Sequence, residues 1–562
     1  MGSNSSFLNP SKAALPLAAA LLLLGAAVLF LYGPSLRFGF LWDDHLLIVD
    51  NPRLNQNPLA FLWHPLYPME EGELPYYRPL QMASSFLDYR LFGLNPQGYH
   101  AVNLLLFGLN LFLTAWLFKR LVPLGRWGAL GLAILFGAHP MHTPTVAYIS
   151  GRADLLAYAG LMGMLAAFLK GRRLLSWLSF ALALGSKESA LLGPGLIALA
   201  QWSSNRWAFK GFRARVLVPY LLLSGGYLLL RLGVLALPPA LPEAAAWTDR
   251  VRGFPILLAS YLTAFFDPWH PQLSRAVGSI HEVGTWVAWA WGALTGLLAV
   301  GFVALWIRKP GSRFWLGWMA LFGLPLTQWI FPLAHPAADH WLILPAVGAF
   351  GLIGLGATRL KSRRSKGLGF TALAIWGLLS WQGTSSYVQK WADPLTLYAY
   401  QLKENPFLIR THANYAEELL TQDHPADAVE ESLQVLQKKA DAYHPWLVIS
   451  RASLVMGRFP QARDAAQAAI SFKPTEKGFL LLGAAYYELG EASRCEEALQ
   501  KAVALTPSFE LGWEALGDLY YEQGRWTPAM KAYGALVQLR PESEVYRDFL
   551  ADAYEAWLSQ AP

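Results

Sequence analysis

Apolar residues in this chain gather in long runs rather than alternating. The first run, at about 13–32, is an Ala- and Leu-rich stretch long enough to cross a bilayer, which takes about 20 such residues. Further spans are expected at about 100–121, 127–147, 153–169, 174–186, 189–203, 214–237, 283–307, 314–332, 341–358 and 368–385. Those flanking Ser186-Lys187-Glu188 are shorter than a full span. A run at 254–269 is apolar but short and ends in Asp267-Pro268-Trp269-His270-Pro271, so it is read as re-entrant or interfacial. Basic clusters at Lys119-Arg120 with Arg126, and at 170–173, 206–215, 308–313 and 359–366, then all fall on one side, the cytoplasmic side by the excess of Lys and Arg. Eleven crossings from a cytoplasmic N-terminus place everything after the last span outside. The letters Met1-Gly2 with Ser6 fit an acylation pattern that a polytopic protein does not need, and the first run reads as a retained helix rather than a cleaved signal.

After about residue 390 the chain repeats. Gly457-Arg458-Phe459, Gly490-Glu491-Ala492 and Gly524-Arg525-Trp526 recur 33 and 34 residues apart, as do Pro474, Pro507 and Pro541. That is the tetratricopeptide period. Trp513, Leu516-Gly517, Tyr520, Ala529, Tyr533 and Pro541 fall where a helix–turn–helix unit of this kind wants them, and Leu482-Gly483, Tyr486, Ala502 and Pro507 do so in the preceding unit. Looser units begin near Pro406 and His444, and a helix from Glu544 to Leu558 would cap the stack. The fold class is therefore all-α: a polytopic membrane domain over 1–390, with its first external loop at 33–99, followed by a repeat solenoid over 391–562.

Composition supports that division. Hydrophobic residues make up 54% of the chain and charged residues only 15%, the balance of a membrane protein. From Asp393 onward there are 15 Lys and Arg against 24 Asp and Glu; the part before it holds 30 against 14. A basic membrane domain is thus joined to an acidic soluble one. The basic excess is explained by orientation and implies no nucleic acid. A single cysteine, Cys495, allows no internal disulfide.

Chemistry concentrates on the outer side. Asp43 and Asp44 follow the first span directly, with Trp42 beside them able to stack on a sugar; acids at that depth serve as a helix cap, as a partner to a nearby Arg, or as a base. Arg78 closes the same loop, and its planar fork suits phosphate oxygens. Arg152 and Asp154 can pair with each other at a helix entrance, and Lys187 and Glu188 can hold a turn as an ion pair. His139 and His142 make an incomplete metal site and suit interface or substrate hydrogen bonding. His335, Asp339 and His340 cluster at the outer end of a span. No phosphate-binding Gly-rich loop, zinc spacing or dinucleotide fingerprint is present, so nucleotide sugars are not the expected donors.

An ordered set of motifs carries a resemblance over nearly the whole chain. Phe40-Leu41-Trp42-Asp43-Asp44, Tyr77-Arg78-Pro79-Leu80, Gly98-Tyr99-His100 through Asn103-Leu104, His139-Pro140 through His142-Thr143, Gly151-Arg152-Ala153-Asp154-Leu155-Leu156, Ser186-Lys187-Glu188, Asp339-His340-Trp341-Leu342 and Trp391 to Asp393 occur in that order. The chain resembles the transmembrane and tetratricopeptide-repeat O-mannosyltransferases and their bacterial relatives. The resemblance implies a GT-C glycosyltransferase fold that moves a sugar, mannose or another hexose, with inversion from a polyprenyl-phosphate donor to Ser or Thr of exported proteins docked on the repeats. Within that chemistry Asp43 is assigned as catalytic base with Asp44 as its neighbour, Arg78, Arg152 and His340 are expected at the donor phosphate, and Trp42, His139, His142 and Asp339 at the substrate. The family usually has Arg and Tyr where this chain has His340 and Trp341. The lipid-linked sugar is a substrate, no cofactor or divalent metal is expected, and the Leu/Ala/Gly-rich make-up points to a bacterial inner membrane, or to the endoplasmic reticulum in a eukaryote. Two alternatives are an oligosaccharide transferase or ligase using a lipid pyrophosphate and a non-enzymatic repeat scaffold. The topology has a direct check: cysteines introduced near Glu73 and Gly490 should label from outside and one near Arg364 should not, whereas labelling of Gly490 only from the cytoplasm would refute the eleven-span arrangement.

Overall fold

The computed structural model describes residues 17–55, 76–204, 212–235, 247–275, 285–327 and 337–559. The Met1–Ser6 pattern, Glu73, His335 and the outer parts of several expected spans lie outside the described residues. The chain divides into two compact units, Met1–Leu397 and Tyr398–Pro562. Among the described residues there is no strand, only an isolated bridge between Arg275 and Ala337.

The first unit is built of α1 (Leu17–Tyr32), α2 (Pro79–Phe92), α3 (Pro96–Leu121), α4 (Gly125–Gly137), the short α5 (Thr143–Val146), α6 (Arg152–Leu169), α7 (Arg173–Leu184), α8 (Gly193–Ser204), α9 (Val218–Leu235), α10 (Trp247–Phe266), α11 (Thr285–Arg308), α12 (Arg313–Gly323), α13 (Ile343–Arg359) and α14 (Arg363–Lys390). α3 packs on α1, α4 and α6, α6 on α7, and α12 on α8 and α13. Many apolar side chains face outward, Leu22 at 72% and Phe30 at 68% exposure among them, the reverse of a water-soluble helix and the expected state of a lipid-facing one. Among the described residues, Leu17–Arg37, Pro96–Leu121, Ile149–Leu169, Trp289–Arg308 and Asp339–Arg359 are long and apolar enough to cross a membrane. The chain is an integral membrane protein.

One expectation about the spans changes. The run at 127–147 is not one helix: α4 stops at Gly137, and Pro140 and Pro144 restart the chain as a 3-10 turn at Pro140–His142 and then α5. Over the run at 254–269 the helix starts earlier, at Trp247, and tolerates Pro255 within it, while its apolar part stays short, Gly253–Phe266.

Beneath the first loop lies a small core of Leu47, Ile48, Leu54, Met82, Tyr99 and Ile149. It joins the loop segment His45–Val49, which winds as a π-type turn, to α2, α3 and the chain before α6.

The second unit begins within α15 (Pro394–Glu404) and pairs α16 (Ile409–Thr421) with α17 (Pro425–Lys438), α18 (Tyr443–Val455) with α19 (Phe459–Phe472), α20 (Glu476–Glu488) with α21 (Ala492–Leu505) and α22 (Glu510–Glu522) with α23 (Trp526–Leu539), with α24 (Glu544–Ser559) against α23. Small residues at the crossings, Ala466, Ala498, Ala502, Ala529 and Ala532, are buried with Tyr486, Tyr520 and Tyr533. Each turn within a pair needs one residue in the left-handed region. Gly457, Gly490 and Gly524 supply it at φ 69°, 74° and 68°, while the first pair places Asp423 there at 64°. A side chain costs roughly 1–2 kcal/mol in that conformation. Asp423→Gly should therefore slow hydrogen exchange in α16 and α17 by up to about tenfold, and Gly490→Ala should speed it in α20 and α21, by mass spectrometry of the whole protein.

Candidate active site

The acidic pair divides its labour by burial. Asp44 is buried, and its carboxylate accepts three hydrogen bonds: Oδ2 from the Leu41 N–H at 3.0 Å, and Oδ1 from the Ser150 N–H at 2.9 Å and from the Ser150 hydroxyl. It neither caps a helix through its side chain nor pairs with an Arg. Burial pushes its carboxyl up to about 7, since the bonds from Ser150 and Leu41 offset only part of the cost of removing the charge from water, and Asp43 adds repulsion.

Asp43 is the opposite case. Its side chain is exposed and accepts no hydrogen bond from a described residue; only its backbone N–H is engaged, with the Tyr148 hydroxyl at 3.1 Å. Burial, and then the charges of Asp43 and Asp44, push the Tyr148 phenol well above its usual value, so it remains a neutral O–H. Between Leu41 and Asp43, Trp42 has φ 48°. For so bulky a residue this conformation costs of order 1–3 kcal/mol, and such strain persists only where the surroundings impose it. The Asp44 clamp imposes it from one side, because Asp44 N–H also closes on Leu41 O at 2.8 Å.

Behind this turn, Arg152 anchors the loop. It is wholly buried and gives hydrogen bonds to Asn103 Oδ1 at 2.8 Å, Ser84 Oγ at 3.1 Å, Tyr99 O at 2.8 Å and the Asp88 carboxylate. The expected pairing with Asp154 does not form, and its guanidinium is engaged by residues of α2 and α3. Gly151 precedes it because a Cβ there would sit 2.6 Å from Pro144 O. Asp154 instead takes Lys187 at 2.7 Å, so the expected Lys187–Glu188 pair is absent too.

Glu188 lies between two guanidiniums, Arg78 at 3.0 Å and Arg231 at 2.9 Å, and Arg78 also stacks on Tyr76 at 4.3 Å. Burial opposes the charge on Glu188, but Arg78 above all holds it down at about 2; burial likewise opposes Arg78, and Glu188 more than offsets it. These five side chains are between 14% and 27% exposed, so three cations and two acids line a partly open polar cluster. His340 lies in the 3-10 turn Asp339–Leu342 that leads into α13, its ring centre 6.0 Å from that of Trp341. Arg231 lies about one turn from the end of an apolar helix, and that position was its only signal in the sequence.

The remaining candidates face inward. His139 accepts the Met141 N–H at Nδ1 and gives Nε2–H to Phe265 O at 2.9 Å, while His142 lies 3.0 Å from Phe136 O and packs against the Phe107 and Phe136 rings. Both are buried with their rings turned to backbone groups, and His142 also lines a small cavity with Asp154 and Tyr158. Asp339 is buried and taken by Arg275 and the Gln272 N–H at 2.7 Å. Sequence reasoning did not foresee Tyr148, Ser150 or Arg275. Among the described residues no group of three or more His, Cys, Asp or Glu is placed to hold a metal.

A membrane unit with an acidic turn and a basic cluster, continued by a tetratricopeptide solenoid, defines the class of protein. A tetratricopeptide-repeat family model matches residues 515–543. Protein O-mannosyl-transferase TMTC1 of Mus musculus is 38% identical over 156 residues, 26% of this chain and 16% of that protein; protein O-mannosyl-transferase TMTC4 of Mus musculus is 27% identical over 486 residues, 73% of this chain and 65% of that protein. The solved structure of MamA is 20% identical over 29% of this chain and 94% of that chain, with a TM-score of 0.26. The chain is a homologue of the transmembrane and tetratricopeptide-repeat O-mannosyltransferases, and spans less than two thirds of the length of the relatives named.

Asp44→Asn retains one accepting oxygen where two are used, leaving a buried N–H unpaired at about 1–3 kcal/mol, to be read as a lower unfolding temperature. The folded value of Asp44 lies above the roughly 3.9 of an exposed Asp, so its contribution to stability is fullest below that pH and is lost as pH rises to about 7. The asparagine variant should lack that slope when unfolding is followed from pH 4 to 8.

Proposed function

We propose that this protein transfers a sugar from a polyprenyl-phosphate donor to Ser or Thr hydroxyls of exported proteins, inverting the anomeric centre, on the outer face of the membrane. The observation that carries this reading is the contrast among acids: Asp44, Asp88, Asp154, Glu188 and Asp339 are all held by donors or cations, while the neighbouring Asp43 is exposed and unengaged on a rigid turn. A base must be free to accept a proton, and its neighbours must not compete for it.

In the transfer, the acceptor oxygen forms a bond to the anomeric carbon as its proton passes to Asp43. The bond from that carbon to the phosphate oxygen breaks on the opposite face, and the phosphate leaves with the electron pair. One carboxylate is enough, because a lipid phosphate leaves without being protonated. Arg78 is the donor-phosphate ligand, already charged and already oriented by Glu188 and Tyr76. Arg231 shares that carboxylate and adds a second guanidinium to the same cluster. The homologues' names support protein O-mannosylation. The repeats present the acceptor, since tetratricopeptide arrays bind extended segments and theirs is the acidic part of the chain.

The test is transfer by purified protein from a polyprenyl-phosphate mannose to a Ser/Thr peptide. Asp43→Asn should lose about 10²–10⁴-fold in rate while still binding donor. Arg78→Lys keeps the charge but not the fork, and should weaken donor binding with the protein still folded. Wild-type turnover by Asp43→Asn would refute the base, and unchanged donor affinity in Arg78→Lys would leave Arg78 as a partner of Glu188 alone.

A further inference from the structure

Trp391 is completely buried at the C-terminal cap of α14, where its backbone N–H bonds to Val388 O at 3.0 Å. Its ring centre lies 5.5 Å from that of Trp42, 6.0 Å from that of Tyr148 and 6.0 Å from that of Tyr387. Trp42 and Tyr148 are themselves 5.5 Å apart and nearly edge to face, so Trp42, Tyr148 and Trp391 form a closed triangle. Two of its three corners hold Asp43 directly. Trp42 is the preceding residue, and the Tyr148 hydroxyl accepts the Asp43 N–H.

The Asp44 clamp fixes the ends of the turn, Leu41 and Asp44, but Trp42 between them must still be kept at positive φ. With a smaller ring beneath it, Trp42 would have room to drop and its backbone would relax toward negative φ, turning the next side chain away. α14 lies more than 300 residues from the acidic turn in sequence, yet its last turn forms the floor under it.

We infer that Trp391 is a positioning residue for Asp43: it supports the Trp42 and Tyr148 rings, and through them sets where the Asp43 carboxylate points. As far as catalysis is concerned this rests on Asp43 being the base. The structural half stands without it.

The experiment uses the full chain in detergent, as wild type, Trp391→Phe and Trp391→Ala, with two measurements. Hydrogen exchange read by mass spectrometry should be about tenfold faster in peptides covering 41–44 for the alanine variant, with α18 to α23 unchanged as a control on folding. Transfer from the lipid-linked sugar should lose about 10²-fold in kcat with the donor KM within about twofold, since a displaced base costs rate rather than donor binding. The phenylalanine variant, which keeps an aromatic floor, should recover most of both. Exchange at 41–44 equal to wild type in the alanine variant would overturn the inference, whatever happens to transfer, and so would a fall in donor affinity without a fall in kcat. If the alanine variant does not fold, the phenylalanine variant carries the same comparison, with a smaller change expected in the same direction in both readouts. A wild-type protein that exchanges as expected but transfers nothing would count against the glycosyltransferase reading alone, and the exchange at 41–44 would still decide the role of Trp391.

Discussion

A buried carboxylate holding two distant stretches of backbone together is the interaction on which the outer face of this protein depends. Removing a charge of that size from water costs several kcal/mol, and Asp44 offsets part of it with three hydrogen bonds from Leu41 and Ser150. The return is geometric. Residues 41–44 are tied to 148–150, Trp42 is held in a conformation it would not adopt alone, and Asp43 projects from a turn that cannot easily move. Arg152, two residues after Ser150, extends the same framework into α2 and α3 through Asp88, Ser84, Asn103 and Tyr99. The exposed acid is preorganised because its neighbour is not exposed.

The basic cluster follows a similar logic at lower burial. Two arginines would repel each other in a partly apolar setting, and Glu188 between them removes that cost while leaving a net positive charge for an anion. Lys187 and Asp154 neutralise each other beside it. In the proposed transfer, the cations assigned to the leaving phosphate are thus kept in place by acids that do not themselves react.

Much of the architecture was legible in the sequence because it is periodic. The tetratricopeptide interval showed in Gly457, Gly490 and Gly524, and the structure gives the physical reason, a left-handed turn residue in each helix pair. Asp423 fills the same place in the first pair, which is why that unit looked looser. The apolar runs gave the membrane helices, except where local chemistry overrode the run: Pro140 and Pro144 break 127–147. Pairings at the site were not legible. Arg152 and Asp154, or Lys187 and Glu188, are neighbours in the chain, but residues one or two apart on a helical turn point to different faces. Their partners lie 64, 33 and 110 positions away, in Arg152–Asp88, Lys187–Asp154 and Arg78–Glu188. The histidine pair was no more legible: nothing in its spacing showed that each ring turns toward a backbone carbonyl, Phe265 O and Phe136 O. Nothing local marked Tyr148 or Ser150, whose importance comes entirely from where the chain returns.

The central claim is that Asp43, and not Asp44, faces the acceptor. An electron-microscopy structure of the protein with a polyprenyl-phosphate sugar and a Ser/Thr peptide would test it directly. The account predicts the acceptor hydroxyl about 2.6–3.2 Å from an Asp43 oxygen, with Asp44 still bonded to Leu41 and Ser150. An acceptor hydroxyl bonded to Asp44, with the Leu41–Ser150 clamp opened, would contradict it.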